Sequence, residues 1–391
     1  MTDKQAQLTE SAPFMRLNRI LQLGPVYLVY PGATHTRASH SIGVYHLGRR
    51  LLQNLAQRGA DWLTPEGIKS FLAACLLHDL GHFPYTHSLK ELSLSSHEEL
   101  TGEIILKEPM KSLVGDTGAD PVLTAAIIDK DSKAAFGDEL YFYRKLLSGA
   151  LDPDKLDYLN RDARYCGVPY GAQDVDFILS RLIPDKERGT DIDSRLIPNV
   201  ESVLFSKYLM YRTVYWHRQV RSATAMVKKA LINGLNAGIF TNEELYNLDD
   251  YSLFGLLGRK TGCHLTESVR EGKIYSTAAE IPYEQAKKPG IMDIQIRSQM
   301  EKKLTERLNR AGIPLNEDDI IIDIPEPVSL ETGLFVADEG CSFSNSSSAF
   351  KTETVNSFIK TLYTIRVFIN QKYNQKIKTL PDLCDMMYDS I

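Results

Sequence analysis

Cysteine is scarce and scattered. The 391 residues hold five, at positions 75, 166, 263, 341 and 384, with no CxxC pair. This argues against a thiolate zinc site and a disulfide framework, and fits a reducing cytoplasm. Long apolar runs are missing too. No stretch reaches the roughly 18 apolar residues that a membrane span requires. The N-terminal MTDKQAQLTESAP is polar and lacks the apolar core of a secretory signal. Neither an internal repeat nor a heptad run is present. The expected location is therefore cytoplasmic, with no membrane contact.

A large charge excess is also absent. Lys and Arg number 45 against 50 Asp and Glu, a net charge of −5, which does not favour nucleic acid as a partner. The distribution is less even. Residues 202–242 contain Lys207, Arg212, Arg218, Arg221, Lys228 and Lys229 and no acidic residue. Such a stretch suits an anionic ligand, or simply a solvated helix face.

What is present is an ordinary globular composition, 43% hydrophobic and 24% charged, in a chain long enough for two or three domains. The pattern is mainly α. Apolar spacing predicts helices near 13–23, 39–56, 64–80, 97–107, 121–129, 139–149, 153–163 and 172–182, and one long helix over 202–236. Thr64 and Pro65 supply a cap and a first turn. Residues 27–30 read as a short strand before Pro31-Gly32. Past residue 240 the character changes. Short helices fill 241–276, residues 291–296 and 320–324 read as strands around a helix at 299–311, and 355–372 reads as a final long helix. The expected division is 1–240, carrying any site, and 241–391, a smaller α+β portion for oligomerisation or regulation.

Seven of the nine histidines lie between positions 35 and 97: His35, His40, His46, His78, His82, His87 and His97. Histidine serves metal ligation and proton transfer near neutral pH. One histidine on an apolar face is usually a satisfied core residue; seven in so short a span are hard to place that way. His78 and Asp79 end the apolar run FLAACLL. Burying that pair is costly unless both are partnered or metal-bound. His82 follows His78 by four residues and shares its face if the helix continues past Gly81. His40 begins the helix after YPGATHTRAS, and Asp154 starts another in LDPDKLDYLNRD. Asp154 alone reads better as a carboxylate complementing a helix N-terminus. Beside His40, His78 and Asp79 it becomes a candidate fourth ligand, with Lys155 next to it to neutralise a phosphate.

These residues, in the order H…HD…D, resemble the signature of the HD-domain superfamily. RILQLGPVYLVYPGATHTRASHSIGVYHLG, LLHDLGHFPYTHSL, SHEE and LDPDKLDYLNRDARYCG together resemble its deoxynucleoside triphosphate (dNTP) triphosphohydrolase branch, over about residues 13–182. The resemblance implies a helical HD bundle and one divalent cation (Mn, Mg, Fe, Zn or Ni) on His40, His78, Asp79 and Asp154. It implies catalytic roles for His82 and His97 and phosphate contacts for His87, Arg37 and Lys155. Gln22 and Asp162 would meet the sugar, and Tyr158 would pack on it. The implied reaction takes dNTP and water to deoxynucleoside and triphosphate. A nucleotide activator and a homo-oligomer, dimer or tetramer, are implied as partners.

Two departures stand out. This chain reads HTRASHSIG where the branch often has HTRFEHSLG. On the later helix KYLMYRTVYWHRQVRSAT, Arg212, His217, Arg218 and Arg221 are candidate phosphate contacts, and Tyr211 or Tyr215 could stack on a base. In the expected chemistry His97 protonates the leaving sugar oxygen, His82 assists, and Glu98 fixes the tautomer of His97. Two alternatives remain. One is an HD phosphohydrolase of another ester, such as a nucleoside monophosphate, a cyclic nucleotide or (p)ppGpp. The other is a nucleotide-sensing regulator.

Overall fold

The fold is given by a computed structural model, which describes residues 1–378 other than 135, 262, 263, 286–289, 327 and 348. It is mainly α, with a smaller α+β portion towards the C-terminus. After two short helices, Asp3–Glu10 and Ala12–Leu17, come α1 (Arg37–Gln57), α2 (Pro65–Leu77), α3 (His97–Leu106), α4 (Pro121–Ile128), α5 (Gly137–Ser148) and α6 (Pro153–Cys166). Then follow α7 (Ile197–Met210), α8 (Arg218–Asn236), α9 (Ile294–Arg310) and α10 (Thr352–Leu362). Among the described residues no helix is long and apolar enough to cross a membrane.

Helix α2 is the centre of the bundle. Phe71, Ala73, Ala74, Cys75, Leu76 and Leu77 are all buried, and the helix packs on α1, α4 and α5. Each large side chain there contributes roughly 1.5–3 kcal/mol through burial. Helix α8 anchors a second core. Its Ala223, Met226, Val227, Ala230 and Leu231 meet Phe83 and Leu89 from the early chain and Leu253, Leu265 and Val269 from the later one.

Three antiparallel strands, β1 (Ser276–Pro282), β2 (Ile320–Asp323) and β3 (Thr364–Ile369), form a sheet with β3 in the middle. Ile369 stands opposite both Ser276 and Ile320. Alternation sets the two faces. Ile365, Val367 and Ile369 join the core under α9, while Phe368 and Ile321 join the core around α8.

Four expectations about local structure need correction. Residues 27–30 are not a strand, because a 3₁₀ turn, Gly24–Leu28, occupies that stretch with Pro25 setting its first turn. The helix expected over 202–236 breaks into α7 and α8. A π-helical turn, Tyr211–Tyr215, and an extended His217 separate them. The Thr213 hydroxyl donates to the Leu209 carbonyl at 2.7 Å, a back-bond that bends helices. Residues 291–296 are not a strand either, since Asp293 accepts from the Gln295 and Ile296 N–H groups and starts α9. The helix expected over 355–372 stops at Leu362, and TIRVFI becomes the central strand β3. Its Ile365, Val367 and Ile369 lie on one face of a pleat.

Candidate metal centre and cleft

Three helix ends bring the chemistry together. The Thr36 hydroxyl accepts from the Ser39 N–H and starts α1, which sets Arg37 and His40 in its first turn. Helix α2 carries its apolar run up to His78, and the chain then turns, with the His82 N–H bonding the Asp79 carbonyl at 3.0 Å. The Asp152 carboxylate caps α6 by accepting from the Lys155 N–H at 2.7 Å, which places Asp154 in the first turn.

Two glycines let these ends close up. A Cβ on Gly43 would lie 1.9 Å from Asp157 Oδ1. A Cβ on Gly81 would lie 2.2 Å from the His97 carbonyl oxygen, so only glycine lets the start of α3 sit against the turn after His78. Thr101 of α3 seals that contact, accepting from the Gly81 N–H at 2.8 Å and donating to the His78 carbonyl at 3.1 Å.

His40, His78 and Asp154 each offer a ligand atom, and these atoms lie within 4.8 Å of one another. His40 Nε2 is 2.9 Å from Asp154 Oδ1, and its Nδ1 is 2.8 Å from Asp157 Oδ2. Arg161 grips Asp157 with Nε and Nη2 at 2.8 and 2.9 Å. His78 Nδ1 meets the Cys75 carbonyl at 3.1 Å, which fixes the ring and turns Nε2 inward. That Nε2 is buried and has no hydrogen-bond partner among the described residues. Asp79 stands just outside this group. Its Oδ2 accepts from Arg37 Nη1 at 2.9 Å, and its Oδ1 lies 3.4 Å from His78 Nε2.

The electrostatics follow from these contacts. Burial opposes a charge on His40, but hydrogen bonds to Asp154 and Asp157 outweigh it and hold its pKa up at about 10. Burial likewise opposes ionisation of Asp154 and Asp79. For Asp154 the His40 hydrogen bond prevails, for Asp79 the charges of His78 and Arg37, and both carboxyls sit well below the usual range. A divalent cation fits these residues. It would meet the unpartnered nitrogen of His78 and the oxygen of Asp154 with the borderline N/O donors such ions accept. It would also replace the proton that His40 holds.

The group opens onto a cleft of about 760 Å³. Arg37, His87, His97, Glu98, Lys155 and Tyr158 line it, as do Gln22, Asp162 and Arg221. His97 Nδ1 is 3.0 Å from Glu98 Oε2. Burial would raise the Glu98 pKa, yet the His97 hydrogen bond brings it down to about 2. His82 is fully buried behind this pair. Burial first, then the charges of Arg37 and His97, holds it well below the ordinary histidine range. Gln22 Oε1 is buried without a hydrogen-bond partner among the described residues. Both Asp162 oxygens are engaged, one by His35 Nε2 at 2.8 Å and one by the Tyr215 hydroxyl at 2.7 Å.

The basic stretch is placed differently from the simple expectation. Arg218 is exposed and does not line the cleft. Arg221 lines it but donates to both oxygens of Asp323 at 2.9 and 2.7 Å. Lys207 pairs with Glu331, Lys228 with Glu91 and Lys229 with Glu301, at 2.8, 2.8 and 2.9 Å. Arg212 donates to the Tyr208 hydroxyl at 2.9 Å. Sequence reasoning missed the acidic wall of the cleft, Glu326 and Glu331, and the cleft lysine Lys90. Only their charge marks them in the sequence.

Family comparison agrees with this architecture. Residues 37–127 match the model of the HD domain, and residues 180–381 match that of the HD associated region. The chain belongs to the HD-domain phosphohydrolase superfamily. Uncharacterized protein YwfO of Bacillus subtilis is 38% identical over 222 residues, covering 56% of this chain and 49% of its own. Deoxynucleoside triphosphate triphosphohydrolase SAMHD1 of Danio rerio is 24% identical over 314 residues, covering 70% of this chain and 49% of its own. The chain spans about half the length of the curated relatives it matches. A crystal structure of a phosphohydrolase from Bacteroides thetaiotaomicron superposes with a TM-score of 0.72 at 22% identity, over 94% of this chain and 95% of the other. A hypothetical protein from Aquifex aeolicus gives 0.75 at 24% identity, over 97% and 95%.

Proposed function

We propose that this phosphohydrolase cleaves dNTPs to deoxynucleoside and triphosphate at the cleft over His40, His78, Asp79 and Asp154. The observation that carries the reading is the unpartnered His78 Nε2, buried beside the carboxylates of Asp79 and Asp154 at the floor of a nucleotide-sized cleft. A divalent ion held there would supply positive charge for phosphoryl oxygens and lower the pKa of water. Arg37 and Lys155 orient the phosphates from either side of that floor, and His87 and Lys90 face them across the cleft. His97, as an imidazolium oriented by its Nδ1–H bond to Glu98, gives its Nε2 proton to the leaving sugar oxygen, with His82 behind it. A buried neutral His82 keeps positive charge off this patch until an anion arrives. Tyr158 and Gln22 meet the sugar. In this reading residues 1–240 carry the chemistry, and 241–391 close the cleft and pair its cations.

One observation favours a second reading. Arg37, Lys155, Lys207 and Arg221 already have carboxylate partners. A triphosphate carries about four negative charges and needs unpaired cations. A less charged phosphate ester, such as a nucleoside monophosphate or a cyclic nucleotide, needs fewer. Incubation with a dNTP panel and separate quantitation of triphosphate, pyrophosphate and orthophosphate decides between them. Triphosphate in equimolar yield with deoxynucleoside supports the first reading. Orthophosphate alone, or turnover of monophosphates only, contradicts it.

A further inference from the structure

A second group of ring nitrogens stands beside the first. His82, His87 and His97 each contribute one nitrogen to a set lying within 4.8 Å of one another. His82 Nε2 and His87 Nε2 are 3.1 Å apart. Two imidazole nitrogens at that separation share either a proton or a cation.

The outer nitrogens favour a cation. His97 Nδ1 faces Glu98 Oε2 at 3.0 Å. His82 Nδ1 is buried, has no hydrogen-bond partner among the described residues, and faces Asp79 Oδ1 at 3.4 Å. A ring whose Nδ1–H points at a carboxylate presents a lone pair at Nε2, and this is the arrangement behind metal-bound histidines. Zinc–nitrogen bonds of about 2.0–2.1 Å at tetrahedral angles set ring centres roughly 5 Å apart. The His82–His87 and His87–His97 ring centres are 4.9 and 5.2 Å apart. The His82–His97 pair is closer, at 3.9 Å. To seat an ion, His97 must swing towards the cleft by about 1 Å.

We propose that His82, His87 and His97 form a second cation site, with a fourth position open to the cleft, that takes a borderline ion such as zinc. No carboxylate belongs to the set, so the site discriminates against magnesium and calcium. Asp79 joins the two sites, its Oδ1 lying 3.4 Å from both His78 Nε2 and His82 Nδ1. One consequence rests on the proposed roles of His97 and His82. An ion on these nitrogens leaves no proton for the leaving group, so zinc in excess inhibits where manganese does not.

The test counts ions in the full chain. Protein stripped with chelator is loaded with zinc, dialysed, and analysed by mass spectrometry. Wild type is expected to hold two ions per chain, and His87→Gln and Asp154→Asn one each. With cobalt, wild type and Asp154→Asn show the strong visible bands of a tetrahedral ion, and His87→Gln loses them. His97→Gln serves as a second variant, and circular dichroism checks the fold of all three. A His87→Gln protein matching wild type in zinc content and cobalt spectrum overturns the proposal. Failure of the first site is a separate outcome, seen as an Asp154→Asn protein that keeps all its zinc.

Discussion

The chain carries two concentrations of functional-looking residues, and they behave in opposite ways. Among the described residues, the histidine-rich span from His35 to His97 leaves buried nitrogens without hydrogen-bond partners, at His35 Nδ1, His78 Nε2 and His82 Nδ1. The basic stretch from Lys207 to Lys229 pairs four of its cations with carboxylates drawn from distant parts of the chain. The first region holds buried donor atoms that the described residues leave unused. In the second, these four cations are already neutralised, and they tie α7 and α8 to distant parts of the chain. What decides between site and scaffold is whether the partner is already present in the fold, and residue type alone does not report that.

The contrast can be broken most severely at the first region. Asp154→Ala or His78→Ala removes a donor from the candidate ion group. Turnover should fall by more than about 10³-fold, with metal lost and helical circular dichroism retained. Either variant keeping both its metal and its rate would place the chemistry elsewhere.

His97→Ala should cost about 10²–10⁴-fold in kcat while the metal at the His40–His78–Asp154 group stays bound. Loss of that metal would mean that His97 has been given the wrong role.

Arg221→Ala sharpens the other side. It leaves Asp323 buried and unpaired, so unfolding free energy should drop by about 3–5 kcal/mol. Metal content of the folded fraction should not change. A variant with native stability and raised KM would instead make Arg221 a phosphate ligand.

The smallest effect is on pH dependence, read in metal-stripped protein. His82 and His40 carry opposite signs. The His82 pKa is depressed by burial, so its contribution to stability is present above the ordinary histidine value and is lost as pH falls below about 6.5. The His40 pKa is raised to about 10, so its contribution is full below about 6.5 and is lost as pH climbs through 10. His82→Gln should flatten the acid limb of a denaturation-midpoint profile and leave the alkaline limb unchanged. A shift of the alkaline limb instead would reverse the assignment.

Much of the candidate site was legible because its signals are local. His78-Asp79 closes an apolar helix, His40 opens another, and Asp154 follows a capping Asp and a Pro. The ion pairs of the basic stretch were not legible. Lys207 finds Glu331 across 124 residues, and Arg221 finds Asp323 across 102. No periodicity encodes such pairings. The fold shows the same divide. Helices with caps and a steady apolar face were readable, while the break at Thr213 and the strand β3 were not. In 355–372 the helical run TETVNSFIKTL passes straight into TIRVFI, and only pairing with β1 and β2 makes the second part a strand.

In the proposed site one cation bridges side chains from three separate helix ends. Anomalous diffraction from crystals of the manganese- or iron-loaded protein tests it directly. A peak is expected within about 2.0–2.4 Å of His40 Nε2, His78 Nε2 and an Asp154 oxygen. Metal-loaded crystals with no peak among those atoms, or with His40 still hydrogen-bonded to Asp154, would contradict it.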